Sequence, residues 1–83
     1  GREAGIEEAL AFFAGETDAF PDRPDAWHLR GELELQARKA PEAARSFREA
    51  LRLDPGRLGS KIRLADAVRL SGRFEDALQA FNA

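Results

Sequence analysis

One imidazole, at His28, is the sole side chain of this 83-residue sequence whose ordinary pKa lies near neutrality, so acid–base chemistry would have to begin there. General-base catalysis needs a positioned substrate and an orienting partner, and the acids at helical distance are Asp25 and Glu32, both of surface type. With no second His and no Cys, a dedicated zinc or transition-metal site lacks its donors, and thiol nucleophiles and disulfides are excluded. The sequence holds no glycine-rich phosphate loop, nucleophile elbow or paired-carboxylate motif. The expectation is a chain with no catalytic residue, no cofactor and no metal.

The charges point the same way. Thirteen basic and fifteen acidic residues leave a formal charge of −2, without the positive field that nucleic acid or an anionic membrane requires. No apolar run approaches the roughly 20 residues of a membrane span, and Gly1 to Glu8 lack the order of a secretory signal. Nucleic acid and membrane are therefore not expected partners. The absence of Cys fits either redox compartment, with a cytoplasmic setting slightly favoured. Abundant Ala, with Arg far outnumbering Lys, hints at a GC-rich bacterial source.

What positions these residues is a repeat. Ala is followed four residues later by Phe at Ala9/Phe13, Ala43/Phe47 and Ala77/Phe81, each step being 34 residues. Pro21 and Pro55 recur at that interval, as do the small residues Gly31 and Ala65. Within the period the apolar spacing is three and four: Ile6, Ala9, Leu10, Phe13; Ala43, Phe47, Ala50, Leu51; Leu64, Ala65, Val68; Phe74, Ala77, Leu78, Phe81. No stretch alternates as a strand would. Asp22 as a cap and Pro24 in the first turn open one helix, and Pro41 opens the next. Asp54-Pro55-Gly56 and Ser71-Gly72-Arg73 interrupt the pattern. The spacing predicts five helices, over about 3–15, 24–37, 41–53, 57–71 and 73–82, the first fraying early at Gly15, Thr17 and Asp18.

Trp27, Gly31, Ala43, Phe47, Ala50 and Pro55 together resemble the tetratricopeptide repeat, with a Trp and a Gly on the first helix, an Ala and a Phe on the second, and a closing Pro. Leu64-Ala65, Val68, Gly72, Phe74, Ala77 and Phe81 look like another copy. The resemblance implies an all-α fold, a right-handed superhelical array of antiparallel helix pairs. One domain over 1–83 would hold about two and a half repeats: 1–23 the second half of one, 24–57 a full one, 58–83 one truncated at its second helix. Packing alone accounts for the motif: Gly31 and Ala65 let helices approach, Phe47 and Phe81 fill the wedge between them, and Trp27 lies on the core stripe. Because such pairs bury their apolar stripes only by stacking, the chain reads as part of a longer array, or as one that pairs with another copy through Phe74, Leu78 and Phe81.

The sequence departs from the family pattern at Arg30 and Glu34, which with Arg38 form a four-spaced row read as a salt ladder. Arg45, Arg48 and Arg52 interleave with Glu42 and Glu49 and read as a self-paired, solvated face. Residues 1–25 carry net −5 and the remainder net +3, which favours head-to-tail association weakened by salt.

The resemblance further implies that the first helix of each unit lines a concave groove for partner segments. The residues so placed are Asp25, His28, Leu29, Glu32 and Gln36, then Ile62, Arg63, Asp66, Arg69 and Leu70. Apolar members would hold ligand side chains while charged ones select register. The Lys and Asn clamp by which some relatives grip a terminal carboxylate is missing, Asp25, His28, Leu29 and Glu32 standing in that region. The function expected is a non-catalytic protein-interaction scaffold binding a partner's segment or a sister copy, so a homo-oligomer is among the expected states. The alternative is an accessory region of an enzyme whose catalytic domain lies outside this chain.

Overall fold

A computed structural model describes the backbone of residues 2–82 and the side chains of 4–73, 76, 79 and 80. Among the described residues there are four helices and no strand: α1 (Arg2–Ala19), α2 (Pro24–Gln36), α3 (Ala40–Leu53) and α4 (Leu58–Asn82). Successive helices pack on one another, and α4 also touches α2. No helix among them is long and apolar enough to cross a membrane.

The expected count of five helices is corrected to four, because Ser71-Gly72-Arg73 does not interrupt α4. The reason lies in the backbone. Each of these residues keeps its N–H, so the ladder runs through at the propensity cost of one helical Gly, about 1 kcal/mol. Between α2 and α3 the break is enforced by Pro41 in the first turn of α3, and 34 residues on that position is the helix-compatible Glu75.

Two further expectations at helix ends are revised. α1 does not fray near residue 15 but continues to Ala19, since Thr17 is buried and its hydroxyl donates to the carbonyls of Phe13 and Ala14, both at 3.1 Å. Asp22 does not cap α2; Arg23 holds that position in extended geometry without a side-chain cap, and Pro24 supplies the preset φ of the first turn.

Arg38 leaves the expected row altogether. It stands outside α2 with φ 62°, the left-handed residue of a Schellman turn. Its N–H donates to Leu35 O (3.0 Å), and that of Lys39 to Glu34 O (2.8 Å). Pro41 then starts α3 in the opposite direction.

The core sits between α2, α3 and α4. Ala43, Ala44, Phe47 and Ala67 are buried together, with Leu35 and Leu64 packed against them. Phe47 lies over Gly31 so closely that an added Cβ would come within 2.8 Å of the ring, which is why this α2 position carries no side chain. Ala65, expected to make the equivalent approach in the next unit, is exposed instead, because the segment that would cover it continues along α4. Trp27 is half-buried rather than a core residue, and its indole Nε1 donates to Pro21 O at 3.0 Å.

Candidate functional site

The first helices of successive units, α2 and the first half of α4, run parallel and are joined along one edge. Arg57 pairs with Asp25, Ser60 with His28, and Arg63 with Glu32, whose carboxylate accepts from the guanidinium at 2.9 Å. The rungs fall at 25, 28 and 32 on α2 and at 57, just before α4, and 60 and 63 within it, so the contacts of each helix lie along one face. A Cβ added at Gly59 would meet the His28 ring at 3.6 Å, an ordinary contact, so the seam does not depend on glycine there.

This seam settles the geometry of His28. Its Nδ1 lies 2.8 Å from the Ser60 hydroxyl and its Nε2 3.4 Å from Glu32 Oε1, while the ring meets Phe47 edge-on at 5.3 Å between centroids. Burial, and then the Arg57 guanidinium, hold its pKa below the ordinary 6.5, against the opposing pull of Glu32. A neutral ring suits the seam: Nδ1 can accept from the Ser60 hydroxyl, while Nε2 faces the Glu32 carboxylate without a hydrogen bond to it. The order Ser60, His28, Glu32 has the pattern of a hydrolase relay, but Ser60 is 0% exposed and no substrate carbonyl can reach its oxygen. Ser60 and Arg57 were not distinguished by sequence reading; the signal was available as matching positions about 32 residues after His28 and Asp25, slightly short of the repeat.

Of the ten expected groove positions, four are therefore engaged in the seam: Asp25, His28, Glu32 and Arg63. Asp66 pairs with Arg69 at 3.0 Å and with Arg63 at 3.6 Å. Leu29 and Ile62 remain open, 44% and 56% exposed; Gln36 is exposed and Leu70 half-buried. Beside Leu29, the rings of Phe12 and Phe13 with Ala26 and Pro24 line an open groove of about 390 Å³ between α1 and α2. Phe12 is 61% exposed at its rim, an exposure that sequence reading did not anticipate. The expected self-association residues Phe74, Leu78 and Phe81 lie outside the described side chains.

The row Arg30, Glu34 and Arg38 is reduced to one pair, Arg30 with Glu34 at 3.6 Å. That pair links a half-buried Arg30 to a buried Glu34 and is not part of a surface ladder. Arg30 donates to Thr17 on α1 at 2.7 Å, and Ser46 on α3 donates to Glu34, so a polar chain threads three helices. Arg45 with Glu42 and Arg52 with Glu49 pair on the open face of α3 as expected.

Parallel first helices, a Gly under an aromatic wedge and a Pro-opened second helix define a helical-repeat protein. Two sequence profiles, each described as tetratricopeptide repeat, match residues 3–57 and 34–83. The chain belongs to the tetratricopeptide-repeat family. No curated protein matches it.

Proposed function

We propose that this chain is a non-catalytic interaction module that takes an extended or helical protein segment on the surface formed by α2 and the first half of α4, within a right-handed superhelical array. The observation that carries this reading is the exposure of Leu29 and Ile62 beside the fixed charges of the seam. Apolar positions of this kind take up a ligand's side chains, while Asp66 and Arg69 at the edge discriminate register. The seam holds the receiving surface rigid before the ligand arrives, which lowers the entropic cost of association.

The test is selection of binding peptides on the intact chain, followed by titration of Leu29→Asp and Ile62→Asp variants. Loss of affinity of at least about tenfold, with helicity unchanged by circular dichroism, is the expected outcome. Undiminished binding to both variants would remove this surface as the site. A peptide whose only recognisable feature is a free acidic C-terminus should give no micromolar signal, since Asp25 and Glu32 occupy the region where a carboxylate clamp would need cations.

A further inference from the structure

α4 presents an uncovered face whose missing cover is specified by the repeat itself. Gly31 on α2 is covered by Phe47 of α3, and Glu34 accepts from Ser46. Carried forward by 34 residues, these pairs become Ala65 with Phe81 and Val68 with Ala80. Ala65 is exposed and Val68 47% exposed, because residues 73–82 continue straight along α4 instead of returning over it. A groove of about 290 Å³ beside Ala44, Arg48, Val68 and Ser71 lies open there. Its counterpart one repeat earlier, beside Leu10, Ala14 and Glu34, is walled by Lys39 at the N-cap of α3 and by Glu42 within it.

The sequence is made to fit that cover. Where Glu34 meets Ser46 in the first unit, the next offers Val and Ala, an apolar pair in place of a hydrogen-bonded one. The left-handed turn at Arg38 falls, 34 residues on, at Gly72, the residue type best suited to it, yet Gly72 is helical here with no positive φ. A straight α4 cannot place residue 80 on residue 68 of its own helix, which lies about 18 Å away.

We propose that the cover is a second copy of this chain, the two exchanging residues 74–82 so that each C-terminal half of α4 completes the α3/α4 face of the other. The register fixes the geometry: residues 31 and 47 flank a midpoint at 39, which the 34-residue step carries to 73, so the two α4 helices cross antiparallel about a two-fold axis near Arg73. Arg73 of one copy then falls beside position 75 of the other, a Glu. The exchange does not rest on the peptide-binding reading above, which concerns the neighbouring face of α4 centred on Ile62 and Asp66.

Because the chain contains no Cys, the test can be built on two single variants, Val68→Cys and Ala80→Cys, mixed after unfolding, refolded together and oxidised. Exchange predicts a disulfide-linked heterodimer, and the unmodified chain should show a concentration-dependent mass approaching twice 9.2 kDa in sedimentation. Gly72→Ala, which meets nothing within 4 Å, should tighten the dimer by at least about tenfold by favouring the straight helix. In a chain carrying both Val68→Cys and Ala80→Cys, an intramolecular disulfide, with a monomeric mass for the unmodified chain, would show each copy covering its own face and overturn the exchange. Absence of either disulfide in refolded, helical protein would overturn the pairing of 68 with 80 itself.

Discussion

His28 shows how one residue's surroundings decide between chemistry and architecture. Its ring is clasped between Ser60 and Glu32, lies against Phe47, and is faced by Arg57, Arg63 and Asp25, the net effect being a pKa below 6.5. The folded state therefore binds a proton on this ring less readily than the unfolded chain. The stability it supports is present above the unfolded pKa of about 6.5 and is lost as pH falls through that value toward the folded one. Chemical denaturation at pH 7.5 and pH 6 should show a larger loss for the native chain than for His28→Gln; equal losses would remove the imidazole as the cause. The site was only half legible in the sequence. His28, Glu32 and Arg63 could be placed on first helices, but their engagement with one another needed the offset between neighbouring units, which departs from 34 by two or three residues.

At the scale of elements, the two inter-helix layers of this chain are built from opposite materials. Thr17, Arg30, Glu34 and Ser46 form a hydrogen-bonded chain across α1, α2 and α3. The residues 34 further on are Leu51, Leu64, Val68 and Ala80, all apolar. Removing one member of a buried polar chain strands the others, so Glu34→Val alone should cost about 1–3 kcal/mol. Importing the whole apolar set, Thr17→Leu, Arg30→Leu, Glu34→Val and Ser46→Ala, should bring stability back to within about 1 kcal/mol of the native chain or above it. Urea midpoints of the two variants decide the matter, and a fourfold variant no more stable than the single one would contradict the account. α2 and α3 were legible to within a residue or so because Pro24 and Pro41 remove donors and leave the backbone no choice. The straight run of α4 was not, because Gly72 lowers helix propensity without forbidding a helix, and the choice there falls to packing. The length of α1 was missed for the converse reason: Thr17 is a weak helix former in isolation, but its hydroxyl bonds back into its own helix and receives Arg30.

Taken whole, the molecule measures 42 × 32 × 17 Å. Its thin dimension is under two helix diameters of about 10–12 Å, so each helix shows a face to solvent and stability must come from neighbour-to-neighbour interfaces. The interfaces are unequal: Phe47 and the alanines of α3 are enclosed by α2 and α4, whereas α1 packs on α2 and leaves Phe12 exposed at the rim of the groove between them. Hydrogen exchange should accordingly find the amides of α2 and α3 slowest and those of α1 opening as a separate, less protected unit. Uniform protection across the three helices would point to a single cooperative block instead.

The lone indole of Trp27, tethered to the carbonyl of Pro21 where the chain passes from α1 to α2, has a practical corollary. With no tyrosine anywhere in the chain, every photon emitted above the phenylalanine band comes from that one junction. The protein thus carries an intrinsic, label-free optical gauge at the joint between its first two helices.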